Sequence, residues 1–215
     1  MEQSHNLASQ SCFRLHRESL IAQVSLVARP GLGTLLVEPL VHFSIPFSAF
    51  ALSGTSSRRA LFASSIALLP DLDALVHVHR SMSHSILFLT AITLPALVLA
   101  WGTKYRVYVI LAAAGLLSHV LLDAFSGYTP ILWPVYGQTV WLVVASEAHI
   151  GSTLTITFHA AVLTEPIRFE PFTALDAPIF SSQGLIASAV LLTPIIITGL
   201  SKSFQTHARH VLSSS

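Results

Sequence analysis

Residues 68–88 read LLPDLDALVHVHRSMSHSILF. Between two apolar runs sit two aspartates, three histidines and an arginine. Only 10% of the chain is charged, so a cluster this dense demands a reason. Buried charge is very costly unless it is paired or coordinates a metal. The reading of this stretch therefore depends on what surrounds it.

The surroundings are apolar. The 215 residues are 53% hydrophobic, with a mean hydropathy of +0.69. Ordinary soluble domains carry far more charge. The formal net charge is +1 and no basic stripe is present, so nucleic acid is not an expected partner. Cys12 is the single cysteine, which excludes an internal disulfide and a multi-thiolate metal site. Eleven histidines against ten acids make imidazole the main polar chemistry.

Working outward, apolar runs cover residues 35–53, 60–70, 85–101, 107–122 and 185–200. Most fall a little short of the roughly 20 residues of a full span. Buried core helices of a very apolar soluble protein are the competing reading. Aromatic placement favours a membrane. Trp101, Tyr105 and Tyr108 lie at one end of the 107–122 run, and Tyr128, Trp133, Tyr136 and Trp141 beyond the other. Interfacial belts occupy such positions. The expected fold is all-α: an integral membrane bundle of about four to five helices, with a polar, partly irregular segment before the last helix. Within that segment, TLTITF alternates as a short strand would, though a helix also fits. The expected organisation is a polar N-terminal tail over 1–30 without a signal peptide, one membrane-embedded domain over 31–202, and a polar C-terminal tail over 203–215.

Topology gathers the polar groups. Pro70 ends the second run, placing Asp71 and Asp73 in a loop or at a helix edge. Ser81 or Ser83 caps a helix starting near His84. The 107–122 helix returns through the WGTKYRV turn and brings back His119 and Asp123, which share one face at i and i+4. His42, in the first run, points to the same end. So His42, Asp71, Asp73, His79, His84, His119 and Asp123 are candidate metal ligands. Ionisable groups in membrane segments are functional candidates by default. Aspartate and histidine without thiolate suit divalent ions such as Zn, Mn or Fe, with Zn or Mn expected, as one or two ions. Arg80 can hold an anionic oxygen, or snorkel to the interface. His77 alternates with His79 and points away.

These residues carry a resemblance. LLPDLD, HRSMSHS and SHVLLDAFSGYTPILWP resemble the membrane-bound metal-dependent hydrolases, an inner-membrane family of prokaryotes. His42, Asp71, Asp73, His79, Arg80, His84, Ser85, His119 and Asp123 match its pattern across residues 40–136. Two departures are Ser81 for a glycine and Ser83 for a threonine. The motif style is also similar to zinc-dependent phospholipase C and P1-type nucleases, which implies phosphoester hydrolysis. The resemblance implies an enzyme in which Asp71, Asp73 and Arg80 act in catalysis on a small-molecule or lipid substrate. A divalent-metal transporter and a non-enzymatic membrane protein with a structural metal or polar cluster are the rivals. Arg58, Arg59, Lys104 and Arg106 lie in short turns opposite the site, which predicts a site facing away from the cytoplasm.

Overall fold

The computed structural model describes residues 38–213 except 79, 151–152 and 174–180. The predicted tail over 1–30 lies outside the described residues. Helix α1 spans Pro39–Leu52 and opens on a proline at its first turn, where the missing N–H costs nothing. Helix α2 spans Ser57–Ile66. A 3₁₀ turn over Pro70–Val76 and a shorter one over Met82–His84 follow. Helix α3 spans Ile86–Ala100, α4 spans Arg106–Ser126, and α5 runs from Ser182 to Ser213, into the predicted C-terminal tail. Helix α1 packs on α2 and α5, and α4 packs on α2 and α3.

The all-α expectation is overturned. Strands β1 (Gln138–Ile150) and β2 (Leu154–Pro166) form a long antiparallel ribbon, in register from Gln138↔Pro166 to Ile150↔Leu154. Thr129 adds a single rung to Val140. The segment expected to be irregular is therefore regular β-structure. Its cause is local: both strands are rich in Val, Ile and Thr, which favour the pleated backbone. TLTITF is only the start of one strand. VWLVV, which pairs with the far end of that strand, residues 160–164, lacks a clean alternation and hides its period.

Among the described residues, the five apolar runs reduce to two helices of spanning length: α4, and Ser182–Gly199 within α5. The runs at 35–53 and 85–101 fold as helices of 14 and 15 residues, about 21–23 Å at 1.5 Å per residue. Their exposure bears on the soluble-core reading. Only 28% of the apolar window of α4 and 11% of that of α5 is buried, and α3 has no buried residue. Apolar helices left uncovered by protein suit lipid surroundings. Where helices do meet, they meet through small residues. Ala60, Ala63 and Ala67 are fully buried, and a Cβ on Gly115 of α4 would collide with the Ala63 carbonyl. Such contacts let membrane helices approach closely.

The loops at the site end are pinned. Ser85, not Ser81 or Ser83, caps α3, its Oγ accepting the Phe88 N–H at 3.3 Å. The same hydroxyl donates to the Trp133 carbonyl, and the Ile86 N–H donates to Ile131 at 2.9 Å. The start of α3 is thus tied to the TPILWP loop, and Trp141 Nε1–H, donating to the Phe125 carbonyl at 3.3 Å, ties the ribbon to the end of α4.

Candidate metal centre

Four elements converge at the C-terminal end of α4. That helix presents His119 and Asp123, one turn apart and both buried. The Pro70–Val76 turn presents Asp71, the Met82–His84 turn presents His84, and α1 presents His42. One ligand atom each from Asp71, His84, His119 and Asp123 lies within 4.8 Å of the others.

The separations are informative. His84 Nε2 lies 2.9 Å from Asp123 Oδ2, 3.2 Å from His119 Nε2 and 3.7 Å from Asp71 Oδ1. His119 Nε2 lies 3.4 Å from both Asp71 Oδ1 and Asp123 Oδ2. Donors held about 2.0–2.1 Å from a tetrahedral ion stand roughly 3.3–3.4 Å apart. The five distances scatter around that value. Asp123 Oδ2 has close neighbours yet makes no aligned hydrogen bond, so contact without alignment is the better description. Ligand atoms crowded around one point, with Asp123 Oδ2 left without an aligned hydrogen bond, are disposed to share a cation.

Electrostatics agree. Burial alone would raise Asp71, but hydrogen bonds from His119 and His84, with the charges of His119 and His42, outweigh it. They hold the Asp71 carboxyl well below its usual range. Burial alone would lower His84, but Asp123, Asp71 and Asp73 outweigh it and push the imidazole up to about 10. Three carboxylates draw positive charge into this space, which a proton or a divalent cation satisfies. The donor set and its spacing fit a small divalent ion.

The remaining predicted residues fall into three positions. Asp73 stands behind His84: its Oδ2 is 3.2 Å from His84 Nδ1 and accepts from Ser81 N–H at 2.7 Å and Ser83 Oγ at 3.0 Å. It fixes the ring whose other nitrogen faces the cluster, the usual arrangement behind a metal-ligating histidine. His42 lies at the cluster's edge, 3.5 Å from Asp123 Oδ1 and with its ring 4.2 Å from that of His119. His79 lies outside the described residues. Ser81, one of the two departures, has φ −78°, so no glycine is needed there, and Ser83 supplies the hydroxyl a threonine would. His77 packs against Phe172 instead.

Arg80 donates to Ser126 Oγ at 2.7 Å, and its guanidinium lies 3.6 Å from Asp123 Oδ1. Its Nε is buried without a hydrogen-bond partner. Arg80 also lines a cleft of about 560 Å³ shared with Tyr128, Thr139, Glu165 and Arg168. Tyr128 entered the sequence reading only as an interfacial aromatic, and Ser126 and the ribbon root escaped it as parts of the site. So did Glu38, fully buried one turn before His42, whose Oε2 accepts the Ser181 N–H at 2.9 Å. A lone carboxylate within LLVEPLVHF was its available signal.

Apolar helices open to their surroundings, and a buried carboxylate–imidazole cluster at the end of a spanning helix, define a membrane protein with a candidate metal centre. Within that class the assignment is specific. The family model of the YdjM inner membrane protein matches residues 39–206, and the chain belongs to that family. It is an inner-membrane protein. No curated protein and no solved structure matches it.

Proposed function

We propose that this protein is a membrane-embedded, divalent-metal-dependent hydrolase acting on a phosphoester, with Zn or Mn as its ion. One observation carries the reading: Asp71, His84, His119 and Asp123 converge at tetrahedral spacing, with Arg80 standing between them and an open cleft. Asp71, His84, His119 and Asp123 would hold the ion, and Asp73 would lock the His84 ring. A bound ion supplies positive charge and lowers the pKa of water at neutral pH. Arg80 binds an anionic phosphoryl oxygen entering from the cleft, and a guanidinium matches that geometry. Water adds to phosphorus while a carboxylate of the cluster takes its proton, the ester P–O bond breaks, and that proton passes to the leaving alkoxide, which departs as the alcohol.

Two rivals make different predictions. A transport path needs polar groups running through the bundle, yet α3 and residues 107–118 hold no Asp, Glu, His, Lys or Arg. A structural staple is favoured by one observation, that the cluster joins α1, two turns and α4. The experiment is elemental analysis of detergent-purified protein, beside an Asp71→Ala/His119→Ala variant, followed by a phosphoester screen. Bound ion and hydrolysis, both lost in the variant, support the hydrolase. Bound ion that raises thermal stability, with no hydrolysis of any phosphoester, leaves the staple. We also place the site away from the cytoplasm; labelling of Lys104→Cys from the outer side overturns that.

A further inference from the structure

The β-ribbon has two unlike faces. Paired residues across a ribbon share a face, and faces alternate along each strand. One face of the distal half carries Ile150 with Leu154, Ala148 with Ile156, and Ser146 with Phe158. The opposite face carries His149 with Thr155 and Ala145 with His159. The apolar side chains are not packed on the protein: Ile150 is 82% exposed, Phe158 78% and Val144 68%.

This surface is continuous with the exposed apolar face of a helix long enough to span a bilayer. Leu117, Leu121 and Phe125 form an exposed stripe at four-residue spacing on α4, a helix of spanning length. Phe125 then lines an apolar groove of about 260 Å³ at the ribbon root with residues of both ribbon faces, Leu142, Val144, Ala160 and Val162 on one and Val143 and Ala161 on the other. The lipid-facing stripe therefore runs into the ribbon without a polar break. Depth is limited by the backbone. A two-stranded ribbon has unpaired N–H and C=O groups along its edges, which hydrocarbon cannot satisfy. Trp133 and Tyr136, beside the root, are interfacial residue types.

We propose that the Gln138–Pro166 ribbon is a membrane-contacting element. It lies in the headgroup region with its Phe158 face toward the acyl chains and its His159 face toward water. The occupant of the apolar face is bilayer lipid. The proposal does not depend on hydrolase activity. If both hold, the Arg80 cleft, whose wall includes the ribbon root residues Thr139 and Glu165, opens at headgroup level.

The test uses full-length protein in nanodiscs, with Cys12→Ser removing the native thiol. Single cysteines at Phe158 or Ile156, and at Thr155 on the other face, carry an environment-sensitive fluorophore. Phe158→Cys and Ile156→Cys should give blue-shifted emission, quenched by nitroxide-bearing lipid and protected from iodide. Thr155→Cys should show the reverse. Equal iodide access at all three positions overturns the proposal. Protection at Phe158 that survives without lipid quenching, together with crosslinking between two chains, overturns it in favour of a second copy. The positions are exposed, so the substitutions leave the fold intact, and Ile156 checks Phe158.

Discussion

Asp71 and Asp73 are two residues apart and chemically identical, yet the structure gives them different work. Changing each to asparagine separates the roles. Asp71 Oδ1 faces both ring nitrogens of the cluster, so Asp71→Asn replaces an anionic ligand by a weak neutral one. Asp73 lies on the far side of His84, and Asp73→Asn leaves every cluster atom in place. It weakens the carboxylate's grip on His84 Nδ1 and its bonds from Ser81 and Ser83. Loss of such an outer partner typically weakens metal binding about 10–100-fold. That corresponds to roughly 1.4–2.7 kcal/mol. The assay is competition with a chromophoric chelator, using purified protein in detergent and several divalent ions. The expected order is parent, then Asp73→Asn with a measurable weaker affinity, then Asp71→Asn with no stoichiometric ion. Parent-like affinity in Asp73→Asn would refute the positioning role. Equal loss in both variants would make Asp73 a ligand and restore a larger, two-ion site.

Other outcomes follow from neighbouring contacts. Arg80→Lys keeps charge but loses the fork that reaches Ser126 and Asp123, so turnover of a phosphoester should fall about 100-fold with bound metal unchanged by elemental analysis. Gly184→Ala would drive a Cβ into the Glu38 carboxylate that receives the start of α5, costing about 1–3 kcal/mol in thermal unfolding. Metal uptake should be pH-linked: His84 keeps a proton up to about 10 in metal-free protein, so an ion must displace it. Apparent affinity should then rise about tenfold per pH unit from neutral pH, with acid released into weak buffer on titration. Because the folded value is raised, the stability His84 lends metal-free protein is complete below about 6.5 and fades toward 10, read as a falling melting temperature.

What could be read from sequence was what helix geometry and residue chemistry settle locally. His119 and Asp123 share a face because any α-helix places i and i+4 together. His42 and His84 were legible as titratable groups bordering apolar runs. The division of labour in PDLD was not legible. It depends on the 3₁₀ turn over Pro70–Val76, which points Asp71 into the cluster and Asp73 behind His84. Helix ends were misjudged for a related reason: Ser81, Ser83 and Ser85 are equally good caps on paper. Only the docking of the TPILWP loop selects Ser85.

The ribbon was missed because two signals interfered. Near its root, both faces carry apolar residues: Trp141, Val143, Ala161 and Leu163 on one, Leu142, Val144 and Val162 on the other. A continuous apolar run has no period, so it reads equally well as helix or strand. Farther out the alternation is clean, and TLTITF showed it. The change in pattern along one pair of strands has a single physical account. On the proposed placement, the root packs against α4 on one face and meets lipid on the other, so both faces must be apolar. The distal half then has water on one side and lipid on the other, so its faces diverge. That account ties the sequence pattern to membrane geometry, and the labelling experiment on Phe158 and Thr155 tests both together.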